Sequence, residues 1–163
     1  MDSPSKSSLS RCKKPGHAAL RCGRISTVGQ LYLVTFSTHR RQPLFSNPRL
    51  AMDAAREIHD PRSWQRSTLL AWVLMPDHWH GLIELGEGES LPALMRAFKG
   101  NVSRRIRLQW PALGPVWAKS FHDRALRCRE DASAAARYIA LNPRRAGLAH
   151  RIGDYPFWNA AWI

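Results

Sequence analysis

Two histidines stand two residues apart in the segment His78-Trp79-His80, inside a run of strand-forming residues. Because side chains alternate between the two faces of a strand, both imidazoles are expected on one face and Trp79 on the other. Ile83 and Leu85 share the parity of Trp79, which marks that face as the core side. Paired neutral imidazoles are common metal ligands, but two alone are an incomplete set. The alternative is a pair of hydrogen-bonded histidines on an exposed strand face.

A tyrosine and an asparagine near the C-terminal end form the second group that could do chemistry. Tyr138 and Asn142 are four residues apart, so on a helix they lie one above the other on the same face. A phenol is a possible nucleophile, and an amide oxygen is a plausible ligand for Mg²⁺ or Mn²⁺. The alternative is that Tyr138 packs as a core aromatic and that Asn142 only ends the helix before Pro143.

The histidines need a strand to position them, and the residue pattern predicts four strands. Each of these segments is rich in β-branched and aromatic residues and is bounded by turn-forming residues. The predicted strands cover residues 30–39, 67–75, 78–85 and 116–129.

Three helices are predicted between and after these strands. Asn47 is a candidate N-cap before Pro48 and opens a helix through about residue 59. Ser90 begins a longer helix, and its apolar side chains recur at three- and four-residue steps. That stripe consists of Leu91, Leu94, Met95, Phe98, Val102 and Ile106. The third helix is capped by Asp131 or Ser133 and is expected to stop at Pro143.

The order of these elements predicts the fold class. A β-α-β-β-α-β order with an additional C-terminal helix is typical of a ferredoxin-like α+β fold, an antiparallel sheet with helices on one face. Such a sheet leaves its other face or an edge free for a ligand, and the additional helix carries Tyr138. The aromatic-rich tail after residue 150 is expected to fold back onto the core.

Composition restricts the class of protein further. The 163 residues, 44% of them hydrophobic, suit one globular domain, which we place at residues 25–163. Residues 1–24 are rich in Ser, Lys and Arg and are predicted to form a flexible basic arm. No uninterrupted apolar run approaches 18 residues, which argues against a membrane helix. The three scattered cysteines make a disulfide framework improbable and fit the cytoplasm.

The charge is the most unusual property of the chain. The 25 Lys and Arg residues against 12 Asp and Glu residues give a net charge of +13. Residues 91–163 carry thirteen basic and four acidic side chains, or +9 of that total. A face that binds a polyanion would produce this polarity, so nucleic acid is the first partner to consider, and a solvated basic surface is the alternative.

Taken together, these segments resemble a known family. The chain is similar to the REP-associated tyrosine transposases, relatives of the HUH single-strand DNA nucleases that use one catalytic tyrosine. The resemblance covers roughly residues 23–160. It is carried by the ordered blocks GRISTVGQLYLVTFSTHRRQPLF, WVLMPDHWHGLIEL, LMRAFKGNVSRRI, FHDRALR and RYIALNPRRAGL, the last followed by YPFW.

The resemblance implies roles for the residues singled out above. His78 and His80 would bind a divalent ion, Mg²⁺ or Mn²⁺, and Asn142 would be the third ligand. Tyr138 would attack phosphorus and leave a 5′-phosphotyrosine link to DNA with a free 3′-hydroxyl. The substrate implied is single-stranded DNA that carries a hairpin of the repetitive extragenic palindromic (REP) type. The resemblance also implies a bacterial, nucleoid-associated protein that acts as a monomer or a homodimer.

Basic side chains across the chain are candidates for phosphate contacts in this picture. Each could equally be ordinary solvated surface. The candidates are Lys13, Lys14, Arg21 and Arg24 in the arm, Arg96, Lys99, Arg104 and Arg105 on the long helix, Arg124 and Arg127 near the last predicted strand, and Arg144 and Arg145 beyond the tyrosine. His122, in the matching block FHDRALR, is a further residue that could lie near the site.

Two other functions are consistent with parts of the pattern. A hairpin-binding regulatory or nucleoid protein without cleavage would need the positive charge but not the full set of catalytic residue types. The other is a zinc hydrolase that uses His78, His80 and Glu84. It would need Glu84 to be positioned as the third ligand, and it would need a bound water.

Overall fold

The computed structural model describes residues 28–126 and 129–161. The predicted basic arm, residues 1–24, lies outside this range, and so does Arg127. The described chain contains five strands and three helices longer than one turn. The strands are β1 Leu31–Ser37, β2 Thr68–Leu74, β3 His78–Glu84, β4 His122–Ala125 and β5 Trp158–Ala160, and the helices are α1 Pro48–His59, α2 Leu91–Gln109 and α3 Arg129–Arg145.

One antiparallel sheet with the order β4-β1-β3-β2-β5 forms the centre of the molecule. The first four strands and the helices α1 and α2 give the β-α-β-β-α-β order in the ferredoxin-like arrangement, so the predicted fold class is confirmed. The tail also folds back as predicted, because β5 pairs with β2. Beside it, the Tyr155 hydroxyl donates to the Leu74 carbonyl over 2.6 Å.

Local sequence signals account for the first two helices. The Asn47 side chain accepts hydrogen bonds from the amides of Arg49 and Leu50, and Pro48 occupies the first helical position as predicted. The Ser90 hydroxyl caps α2 in the same way. All six apolar positions of the predicted α2 stripe are buried, which fixes the face that α2 turns toward the sheet.

The hydrophobic side chains form two layers, one on each face of the sheet. Helices α1 and α2 cover the face that carries Phe36 and Trp79. Helix α3 packs Ala136 and Ile139 against Val73 and Leu82 on the opposite face. The two helices of the β-α-β-β-α-β unit therefore share one face, as predicted, and the additional helix α3 covers the other. The small alanines of α3 let its backbone approach the second face closely.

Two predicted boundaries also differ from the structure. The strand expected over residues 116–129 shrinks to His122–Ala125. Val116 and Trp117 are consecutive and both buried in the same core, which the alternation of a regular strand does not allow. Residues 116–121 therefore form a loop against the end of β1, where the Ala118 amide donates to the Ser37 carbonyl over 3.0 Å.

Helix α3 begins at Arg129, ahead of its predicted caps, and continues through Pro143 instead of stopping there. Proline has no amide to donate to the carbonyl four residues earlier. The Asn142 side-chain amide fills that gap, because it donates to the Tyr138 carbonyl over 2.9 Å and to the Ile139 carbonyl over 3.4 Å. The helix ends at Arg145, and Gly147, with a φ of 70°, closes a Schellman turn just beyond it.

Candidate metal and tyrosine site

A row of three polar side chains crosses the sheet on the α3 face. Thr35 in β1 is the register partner of both His80 in β3 and His122 in β4. The row forms the floor of a cavity of about 320 Å³. Its lining residues are Thr35, Phe36, Ser37, Arg41, His78, His80, Ser120, His122, Tyr138 and Asn142.

His80 is held in a nearly closed environment. Its exposed fraction is 8%, and its Nδ1 lies 2.7 Å from the Thr35 hydroxyl oxygen. Burial, with a smaller contribution from the charge of neighbouring His78, lowers the pKa of His80 to about 4. The His80 imidazole is therefore neutral at neutral pH, which is the form that ligates metals.

His78 is oriented by a carboxylate that precedes it in the chain. Its Nδ1 lies 2.5 Å from Oδ1 of Asp77, and the other oxygen of Asp77 lies 3.3 Å from the Arg41 guanidinium. Burial works to raise the pKa of Asp77, but the hydrogen bonds and positive charges of His78 and Arg41 outweigh it and lower that pKa. Asp77 therefore stays ionised, and its hydrogen bond with Nδ1 fixes the orientation of the His78 imidazole.

These contacts decide which nitrogens are available to a ligand. When Nδ1 of each ring donates its proton to Thr35 or Asp77, Nε2 is the unprotonated nitrogen of both rings. The two ring centroids lie 4.8 Å apart. On the same cavity, the Asn142 amide nitrogen is engaged by backbone carbonyls, which leaves its Oδ1 as the free acceptor. Two imidazole nitrogens and one amide oxygen are a donor set that suits a divalent ion.

Tyr138 stands over this row from α3. Its ring centroid lies 6.1 Å from that of His80 with the planes nearly perpendicular, and its exposed fraction is 41%. The guanidinium carbon of Arg145 lies 5.1 Å from the centre of the same ring. The phenol is therefore accessible from outside, beside the imidazoles, and it has a positive charge over its ring.

The structure thus brings together His78, His80, Tyr138 and Asn142, all from one chain. A family model described as "Transposase IS200 like" matches residues 27–141, a range that contains both histidines and the tyrosine. This chain belongs to the IS200-like transposase family.

Two individual proteins agree with that assignment. The transposase is 24% identical over 127 residues to the REP-associated tyrosine transposase of Escherichia coli strain K12, a match that covers 77% of this chain and 72% of the relative. It also superimposes with a TM-score of 0.62 on the structure of a REP-associated tyrosine transposase bound to a REP hairpin. That match has 24% sequence identity and covers 81% of this chain and 77% of the other. The resemblance recognised in the sequence is therefore confirmed.

A second cavity, of about 470 Å³, lies on the other side of the tyrosine in this transposase. Thr35, His80 and Tyr138 line both cavities, and Arg124 and Asp131 line only the second. Tyr138 therefore lines two adjoining cavities.

Several residues of the transposase site were not singled out in the sequence. Thr35, Asp77 and Arg41 hold or flank the histidines, and Ser120 lines the same cavity. Asp77 is the one with a sequence signal, because a carboxylate directly before a metal-binding pattern is a candidate to orient it. Arg41 has an unusual backbone φ of 53°, which sequence does not reveal. The suggestion that His122 could lie near the site agrees with its place in the cavity wall.

The predicted DNA contacts are scattered over different surfaces of the transposase. Arg124 and Arg145 flank Tyr138, whereas Arg144 is exposed at the end of α3. Arg104 and Arg105 are exposed on α2, where the Arg104 guanidinium donates to the Asn101 side chain over 3.1 Å. Lys13, Lys14, Arg21, Arg24 and Arg127 lie outside the described residues, and all these contacts stay predictions.

Lys99, another predicted DNA contact, has its ammonium engaged by the protein itself. Its Nζ donates to the carbonyls of Ala118 over 3.1 Å and Ser120 over 2.8 Å, and it lies 4.6 Å from the centre of the Phe36 ring. Burial lowers the pKa of Lys99 to about 8. Lys99 therefore fixes the loop that precedes β4 and carries Ser120 into the site.

The zinc interpretation does not agree with the geometry. Glu84 lies four residues beyond His80 on β3, which corresponds to about 13 Å along a strand. Over residues 28–126 and 129–161, no cluster of three or more His, Cys, Asp and Glu side chains is suitable for a metal ion.

None of the helices in the described residues has the length and apolar character to cross a membrane.

Proposed function

We propose that this chain is a metal-dependent enzyme that cuts and rejoins single-stranded DNA next to a hairpin, through a covalent 5′-phosphotyrosine. The observation that carries the proposal is the meeting of His78, His80, Asn142 and Tyr138 around one cavity. The hairpin substrate is proposed because a structurally similar transposase is described as bound to a REP hairpin. The net charge of +13 supports a polyanionic substrate.

Tyr138 is the best placed nucleophile among the three tyrosines of the chain. Tyr32 has an exposed fraction of 8%, and burial raises the pKa of Tyr155 to about 12. Tyr138 is exposed and lies under the Arg145 guanidinium. A cation at that position can offset negative charge that develops on the attacking oxygen and the phosphate in the transition state.

In the proposed reaction, Tyr138 Oη forms a bond to phosphorus and the bond from phosphorus to the 3′-oxygen breaks. The phenol gives up its proton, and the departing 3′-oxygen gains one. A divalent ion held by His78, His80 and Asn142 would supply polarisation of the scissile phosphate. Attack by another 3′-hydroxyl reverses the step and rejoins the strands, because the phosphodiester energy is kept in the tyrosine ester. Arg145 and Arg124, on either side of the phenol, are placed to neutralise phosphate charge.

The experiment is covalent capture with a single-stranded hairpin oligonucleotide labelled at its 3′ end. The 3′ fragment stays attached to the tyrosine through its 5′-phosphate, so a labelled band at the mass of protein plus DNA is expected on a denaturing gel. A 5′ label should instead appear in a short free fragment. The band should require Mg²⁺ or Mn²⁺ and should disappear with EDTA.

Variants assign the band to the proposed residues. Tyr138→Phe and His78→Ala should abolish the band, whereas Tyr155→Phe removes a hydroxyl elsewhere and should retain it. A band that persists in Tyr138→Phe would overturn the assignment of Tyr138 as the nucleophile. Salt-sensitive binding of the hairpin without any band in the wild type would favour a regulatory DNA-binding protein instead.

A further inference from the structure

A groove beside residues 115–121 carries a second set of cations. It lies between α2 and those residues, has a volume of about 420 Å³, and does not have Tyr138 in its lining. We call it the α2 groove and define it by Arg96, Lys99, Gly100, Ser103, Arg107 and Lys119. None of the described residues that line it is acidic.

The α2 residues of the groove form one continuous stripe. Arg96, Gly100, Ser103 and Arg107 follow one another at steps of four, three and four, which places them on one helical face. At 1.5 Å per residue the stripe is about 16 Å long. Since the Lys99 ammonium is bound by loop carbonyls, the exposed cations along the stripe and its opposite wall are Arg96, Arg107 and Lys119.

Gly100 in the middle of the stripe has no packing role in the protein. A Cβ added there would meet no heavy atom within 4 Å. A glycine inside a helix costs about 0.5–1 kcal/mol relative to alanine, so the fold alone favours a larger residue. Glycine does permit a ligand to approach the helix backbone closely.

We infer that the α2 groove binds the sugar-phosphate backbone of single-stranded DNA that continues from the cleavage site. Arg96, Arg107 and Lys119 contact its phosphates, and Gly100 lets the strand lie against the helix. Because the proposed reaction acts on single-stranded DNA, a single strand is the occupant inferred for the groove. Its wall is shared with the site, because Lys119 lines the groove and the next residue, Ser120, lines the tyrosine cavity. The inference rests on the proposed function for the identity of the strand.

The test measures binding without cleavage, so that it stands apart from covalent capture. Affinity of Tyr138→Phe protein for a fluorescent single-stranded hairpin oligonucleotide with long unpaired flanks is measured in EDTA over a series of salt concentrations. A double variant that carries Arg96→Gln and Arg107→Gln in the Tyr138→Phe protein should bind the oligonucleotide on the order of tenfold more weakly at 0.1 M salt. It should also lower the slope of log affinity against log salt by about 1.4, since each phosphate contact on a single strand contributes about 0.7.

A matched control and a second variant separate a local effect from a general one. Arg56→Gln removes the same charge from an exposed position on α1 that lines neither the groove nor the tyrosine cavities, and it should leave the slope unchanged. Gly100→Leu should leave the protein folded, because the space is open, yet weaken binding to the flanked oligonucleotide.

Three results would overturn the inference that the α2 groove binds single-stranded DNA. They are equal slopes for the double variant and Arg56→Gln, unchanged binding by Gly100→Leu, or a loss of affinity that persists when the flanks are removed or replaced by duplex. Failure of covalent capture with the expected change of slope would overturn the proposed reaction and leave the groove intact. Covalent capture with unchanged salt slopes would support the proposed reaction and overturn the groove.

Discussion

The side-chain amide of Asn142 donates a hydrogen bond to the backbone carbonyl of Tyr138, one turn earlier on α3, over 2.9 Å. The residue proposed as a metal ligand thus also holds the helix that carries the proposed nucleophile. It does so next to Pro143, which cannot donate the amide that the Ile139 carbonyl would otherwise accept. Ligation by Oδ1 and helix support by Nδ2 use different atoms of one side chain, so the two roles are compatible.

The helix role of Asn142 predicts a coupling with Pro143. Asn142→Ala should lower the free energy of unfolding by about 1–2 kcal/mol, because a helix carbonyl loses its donor. In a Pro143→Ala background the residue at 143 again has an amide, so the same substitution should cost clearly less. Urea denaturation of the four proteins of this double-mutant cycle measures the coupling. Cleavage should be abolished both in Asn142→Ala and in the double variant, because alanine at position 142 supplies no oxygen ligand. Equal costs in both backgrounds would contradict the helix role.

The buried His80 predicts a pH dependence of stability for the metal-free protein. The folded state holds the pKa of His80 at about 4, whereas an unfolded histidine titrates near 6.5. Between these values the unfolded chain binds the extra proton, so stability should fall as the pH falls from 6.5 to about 4. The loss is at most about 3–4 kcal/mol, since the pKa differs by about 2.5 units and one unit corresponds to about 1.4 kcal/mol.

The measurement for His80 is chemical denaturation in EDTA across that pH window, compared with His80→Gln. The variant has no imidazole at this position and should lose less stability than the wild type over the same window. Parallel pH curves for the two proteins would show that His80 is not the group responsible. Above pH 6.5 the contribution of His80 should be constant.

Gly81 is predicted to be intolerant of any side chain. A Cβ on Gly81 would overlap Cη2 of Trp79, whose indole lies across Gly81 in the core. Because the indole is fully buried and cannot move aside, Gly81→Ala should cost at least about 2 kcal/mol of stability. Gly100→Ala is the matched control, and we expect it to stabilise the protein by about 0.5–1 kcal/mol. A thermal or urea midpoint that is equal for both variants would refute the clash.

The guanidinium over the tyrosine predicts a rate effect without a stability effect. Arg145→Gln should slow formation of the covalent adduct by about 10–100-fold, because the phenolate and the phosphate lose a nearby positive charge. Arg144→Gln removes the same charge one residue away, where the helix turns the side chain to another face, and should change the rate little. Single-turnover capture kinetics at saturating DNA separates this effect from binding. Equal rates for both variants would exclude a role for Arg145 in the chemical step.

Signals that act within a few residues predicted much of this molecule. Asn47 before Pro48 set the start of α1, and the alternation around Trp79 placed His78 and His80 together on the opposite face. Contacts between distant segments were beyond such reasoning. The partnership of Thr35 with His80 joins residues 45 positions apart and follows from strand register, which sequence patterns do not specify.

Two boundary errors have the same origin in side-chain hydrogen bonds. Proline normally ends a helix, and Pro143 does not do so because Asn142 donates in place of its missing amide. The segment 116–121 has strand-like composition, yet Lys99 binds its carbonyls and holds it as a loop. Each exception lies beside the candidate site, where local preference gives way to the geometry that positions functional groups.

The order of the site residues along the chain also sets the order in which a ribosome delivers them. Thr35, His78 and His80 emerge first, on strands that can pair as soon as they are made. Tyr138 follows much later, on a helix that must dock on an already formed β2–β3 face. Synthesis proceeds at about 5–20 residues per second, so an unfinished chain spends seconds with its histidines but without its phenol. In the proposed reaction, a nascent chain would therefore be unable to break DNA until α3 has been made and has docked.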